Sequence, residues 1–93
     1  MKVEFLQEAY IEFKEAIDFY NYQNKKLGER FIKEIEKTIN LIKIYPKIFS
    51  LYTKNTRKAV LSTFPYNIIY ALEKESIVII AVAHQHRKPK FNS

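Results

Sequence analysis

Two imidazoles and three cations follow the chain's most apolar run. After Ile77-Val78-Ile79-Ile80-Ala81-Val82-Ala83 come His84, His86, Arg87, Lys88 and Lys90. Imidazole titrates near neutrality and can take or give a proton. A guanidinium binds phosphate through paired N–H donors, and an ammonium adds charge. Such groups suit RNA cleavage by the 2′-hydroxyl. That reaction needs a base for the hydroxyl, positive charge on the phosphate in the transition state, and an acid for the leaving 5′-oxygen. Arg57 and Arg87 are the candidate phosphate clamps, and Lys88 and Lys90 add charge. His84 and His86 are the candidate proton carriers. Tyr66 and Tyr70 could hydrogen bond to a base or stack on it.

Each residue also has a plainer reading. Tyr66 and Tyr70 fall at strand positions that suit core packing. His84 ends a buried strand and suits a structural hydrogen bond. Arg87, Lys88 and Lys90 near a terminus suit a solvated tail. Arg57 suits an ion pair at a sheet edge. Glu8, Glu12 and Glu15 read as solvated helix surface. No carboxylate between Ser76 and Ser93 would orient either imidazole, and the chain has no Cys. We therefore expect no metal site and no cofactor.

Three runs rich in Val, Ile and Tyr must position these groups: Lys58 to Ser62, Tyr66 to Leu72, and Ile77 to His84. They favour strand. Phe64-Pro65-Tyr66 reads as the first turn between them, and Glu73-Lys74-Glu75-Ser76 as a hairpin loop. The run from Ile77 is apolar on both faces, which predicts a central strand. Upstream, Leu6, Tyr10, Phe13, Ile17 and Tyr20 step by three and four along one helical face, from Gln7 to about Asn21. Asn21-Tyr22-Gln23-Asn24 interrupts that period. It restarts at Leu27, Phe31, Ile35, Ile39 and Ile42, and Pro46 ends it. Lys2 to Phe5 reads as an edge strand. Lys47 to Thr56 reads as a loop pinned to the core. The predicted architecture is α+β, in the order β-α-α-β-β-β. A helical hairpin packs on a small, twisted, mostly antiparallel sheet, as a single domain over residues 1–93.

The net charge is +6 at pH 7, with a pI of about 9.5. Residues 1–56 hold 10 basic and 8 acidic side chains, and residues 57–93 hold 6 and 2. A basic surface of this kind meets nucleic acid or an acidic protein segment. The apolar run from Ile77 to Ala83 is too short to span a bilayer, and nothing resembles an export signal. The expected place is the cytoplasm, with no membrane partner.

The order of elements and several local patterns resemble the RelE/ParE superfamily, small bacterial toxins of type II toxin–antitoxin systems. The likeness rests on Ala9, Glu12, Ala16 and Phe19-Tyr20 in the first helix, and on Phe31, Ile35, Ile39, Leu41 and Pro46 in the second. Its most specific part is Arg57, Phe64-Pro65-Tyr66, Ile68-Ile69-Tyr70, Val82-Ala83-His84 and His86-Arg87 with Pro89. The resemblance implies a cytoplasmic toxin, neutralised by a cognate antitoxin in a hetero-oligomer. It also implies one of two targets. A ParE-like toxin inhibits DNA gyrase. A RelE-like toxin cuts mRNA on the ribosome, here with Arg57, His84, His86 and Arg87 as its catalytic set.

The Pro46 region, the Phe64-Pro65-Tyr66 turn and the His-x-His-Arg-x-Pro end are closest to ParE-like and plasmid-stabilisation proteins. Gyrase inhibition is therefore the leading expectation. Ribosome-dependent mRNA cleavage is the alternative, and an inert basic binding module is the third reading. In all three, the antitoxin is expected on the hairpin and sheet face, at Phe19, Tyr20, Tyr22 and Phe31.

Overall fold

A computed structural model describes residues 1–86. Arg87, Lys88 and Lys90 lie outside the described residues. The elements are β1 (Lys2–Phe5), α1 (Gln7–Gln23), α2 (Lys25–Ile44), β2 (Arg57–Val60), β3 (Tyr66–Leu72) and β4 (Ser76–His84). The α+β class and the β-α-α-β-β-β order hold. The sheet runs β1-β4-β3-β2, with β4 and β3 central. β1 pairs with β4 in parallel, and the other two pairings are antiparallel.

α1 runs two residues beyond the expected end, so Asn24 alone is the break. Its backbone is extended, with φ −167°. Its N–H donates to Tyr20 O at 2.9 Å, which closes α1. Its Oδ1 accepts from Lys26 N at 2.9 Å, which caps α2. An asparagine side chain competes well for free helix N–H groups, so one residue ends one helix and starts the next. Gly28 lets the two helices close. A β-carbon there would stand 1.8 Å from Asn21 Oδ1.

The core lies between hairpin and sheet. Phe31 is fully buried at its centre. Its ring is 5.3 Å from Tyr20, 5.2 Å from Phe64 and 5.3 Å from Tyr66, in tilted and edge-on geometries that suit aromatic quadrupoles. Ala9 and Ala16 are buried too. Small side chains there let α1 lie close to the sheet.

β2 stops at Val60, short of the expected Ser62. Leu61 N still donates to Tyr66 O at 3.1 Å. The next two N–H groups, of Ser62 and Thr63, turn instead to the Glu34 carboxylate on α2, at 2.5 and 3.1 Å. The Thr63 hydroxyl joins them. A charged acceptor draws the chain out of the ladder.

β4 carries a bulge. Ile69 pairs with Ala81, but Tyr70 pairs with Ile79, which leaves Ile80 as an extra residue. An inserted residue shifts the two-residue side-chain period by one. Before it, Ile77 and Ile79 face the hairpin core. Beyond it, Val82 does, while Ala81 and Ala83 do not join that cluster.

Candidate functional site

The bulge decides where His84 goes. His84 pairs with Tyr66, and Val82 with Ile68, so all four side chains share the hairpin face. Were β4 to alternate strictly through Ile80 instead of bulging there, His84 would point to the opposite face. The Tyr66 and His84 rings lie 5.3 Å apart, edge to face. Gln85 fastens the strand end. Its N–H donates to Pro65 O at 2.8 Å, and its Nε2 to Tyr66 O at 3.2 Å.

The two imidazoles do meet, but not by strand periodicity. β4 ends at His84, and the chain turns. His86 N then donates to His84 Nδ1 at 3.2 Å, with the rings 5.5 Å apart. With Nδ1 an acceptor, neutral His84 carries its proton on Nε2.

His84 lines a cleft of about 570 Å³ between α1, the start of β3 and the end of β4. Phe19, Tyr20, Pro65 and Tyr66 give it an aromatic lining, and Glu12 and Glu15 supply carboxylates. Glu12 corrects the reading of that helix face as plain surface. β1 ends at Phe5, so β4 continues without a strand partner on that side. Leu6 N reaches Ile79 O at 3.0 Å, and farther along Val82 N donates to Glu12 Oε1 at 2.9 Å. Glu12 thus occupies a position on the sheet edge where a strand acceptor would sit. Its place in the chain carries a signal. It falls three residues after buried Ala9 and four before buried Ala16, a carboxylate inside an apolar stripe.

Arg57 does not join this cleft. It pairs with Tyr70, four residues along β3 from Tyr66, which is about 13 Å. Its Nη1 donates to Phe49 O at 2.7 Å and to Lys47 O at 3.3 Å. Tyr70 is fully buried, and its hydroxyl donates to Pro46 O at 2.8 Å. Burial holds that hydroxyl above the ordinary tyrosine value, with nearby Arg57 pulling the other way. Both residues pin the loop after α2. A base has no access to the Tyr70 ring.

The hairpin residues divide. Phe31 and Tyr20 are buried, whereas Phe19 is 54 % and Tyr22 93 % exposed. Burial, then the neighbouring Tyr66, raises the Tyr20 hydroxyl pKa. Only Phe19 and Tyr22 of this set present broad surface. Among the described residues, no group of three or more His, Cys, Asp or Glu could hold a metal ion. Nor is any helix there long and apolar enough to cross a membrane.

Among the described residues, then, the imidazoles sit beside a carboxylate-lined aromatic cleft and Arg57 stands apart from them. The model of a family described as the ParE toxin of the type II toxin–antitoxin system parDE matches residues 3–89. The chain belongs to the ParE toxin family. It is therefore a type II toxin–antitoxin toxin of the RelE/ParE superfamily. A solved structure titled "Chromosomal ParDE TA system from P. aeruginosa" is similar over 90 % of this chain and 95 % of that one, with TM-score 0.66 and 13 % identity. At that identity the likeness concerns the fold. No curated protein matches the chain by sequence. Among the described residues, the charged groups lining the cleft at His84 include two carboxylates, Glu12 and Glu15.

Proposed function

We propose that this toxin arrests growth by binding DNA gyrase rather than by cutting RNA. A cognate antitoxin neutralises it by covering the hairpin and the cleft beside it. The observation that carries this reading is the separation of Arg57 from His84 and His86. Arg57 serves loop carbonyls about 13 Å along the sheet from His84. A 2′-hydroxyl attack needs cation and proton carriers on one phosphate. Exposed Phe19 and Tyr22 offer the antitoxin apolar anchors on the hairpin.

The alternative, ribosome-dependent cleavage by Arg57, His84, His86 and Arg87, is favoured by one contact, the juxtaposed His84 and His86 rings. Two purified reactions separate the readings. In a gyrase supercoiling assay, added toxin is expected to inhibit, and His84→Ala to retain much of that effect. In a reconstituted translation reaction, mRNA 5′ ends are expected to stay unchanged. Cuts at the ribosomal A site that vanish in His84→Ala would overturn the proposal. Normal supercoiling at saturating toxin would also count against it.

A further inference from the structure

From Lys37 to Leu72 the chain has six cations, Lys37, Lys43, Lys47, Lys54, Arg57 and Lys58, and no carboxylate. The whole net charge of +6 equals that of this segment alone. Of these cations, Lys47 lines an exposed apolar plate, and Lys43 is exposed one residue before it in the chain. α2 ends at Ile44, and the turn after it places Ile44, Tyr45, Pro46, Lys47 and Ile48 around one shallow concavity. Ile44 is 66 %, Tyr45 59 % and Ile48 54 % exposed. Three large apolar side chains in five residues, turned to water together, are more than scattered surface exposure.

The plate is also held in place. Ile48 N donates to Tyr45 O at 3.0 Å, which closes the turn. Tyr70 holds the Pro46 carbonyl from below, and Arg57 holds those of Lys47 and Phe49. A surface fixed by its own sheet loses little freedom when something docks on it. The plate stands at the Tyr70 end of β3, and the cleft at the Tyr66 end.

We infer that this plate is a second docking surface, separate from the cleft. Its occupant is an acidic amphipathic protein segment, whose apolar side chains cover Ile44, Tyr45 and Ile48 and whose carboxylates meet Lys43 and Lys47. Charge complementarity selects an acidic partner and excludes a second copy of this basic chain. The aliphatic side chains select protein over nucleic acid, whose interfaces are polar and charged. The inference stands apart from the choice between gyrase and ribosome.

The test uses the full chain, isotope-labelled, and a synthetic amphipathic helical peptide with Leu on one face and Glu on the other. Amide shifts are expected over 43–51, with those of Phe19 and His84 unmoved. The double variant Ile44→Ser/Ile48→Ser is expected to raise the Kd about tenfold, as is Lys43→Gln/Lys47→Gln. Because these side chains are exposed, thermal melting should match the wild type. Shifts centred on Phe19 and His84 would overturn the inference, as would no binding. Equal affinity for a Gln-for-Glu peptide would remove its charge argument. A DNA duplex that binds the same residues more tightly, with no loss in Ile44→Ser/Ile48→Ser, would make this a nucleic-acid surface and refute it.

Discussion

Glu34 ties α2 to the turn between β2 and β3 through both carboxylate oxygens. Burial alone would raise its pKa. Hydrogen bonds from Thr63 and Ser62 and the charge of Lys37 outweigh that and hold it below the ordinary 4.5. A carboxyl lowered on folding contributes stability that is present above the unfolded value and lost as pH falls through the folded one. Glu34→Ala is therefore expected to cost about 1–2 kcal/mol at neutral pH, in chemical denaturation. That gap should shrink as the pH falls through 4.5 and below. A constant gap down to the acid transition would mean that packing, not charge, holds the turn. Glu34 was legible in hindsight only. It sits three residues after Phe31 and four before Thr38, both buried, yet nothing nearby in sequence names Thr63 as its partner.

At the scale of elements, the hairpin and the strands follow from local pattern, and the bulge does not. Apolar steps of three and four marked both helices, because helix geometry repeats on that spacing. Runs of Ile, Val and Tyr marked β3 and β4. Ile80 looks like any other member of its run, so the side assigned to His84 by simple alternation is the wrong one. Deleting Ile80 should regularise the ladder and leave Ala81, Val82 and His84 opposite Ile69, Ile68 and Tyr66. The expected stability change is within about 2 kcal/mol, since no fully buried side chain leaves its site. NMR contacts between the His84 and Tyr66 rings should persist. Their loss would show that the bulge itself, and not the register beyond it, aims His84.

At the scale of the molecule, the two ends of one sheet carry different surfaces. The Tyr66 end carries the acid-walled aromatic cleft, and the Tyr70 end carries the cationic plate. Phe31, Phe64 and the buried Ile residues of β3 and β4 form the rigid core between them. Tyr70→Phe removes the donor to Pro46 O and is expected to cost about 1–2 kcal/mol. Hydrogen exchange should quicken over residues 47–52 and stay unchanged for Val82 and Ala83. Matching changes at both ends would mean that the plate and the cleft are coupled through β3.

The class and order of elements were legible from residue pattern alone, because periodicity and turn chemistry are local. The sequence also showed the basic excess and the imidazole pair, which are matters of composition and spacing. Which groups meet depends on how distant segments pair and pack. Arg57 and His84 both read as parts of one anion site. β2–β3 register sends Arg57 to the loop carbonyls, and the Ile80 bulge sends His84 to a cleft beside Glu12. Register and bulges depend on pairing between segments distant in the chain, and a one-residue shift reverses every side chain. No local pattern carries that information.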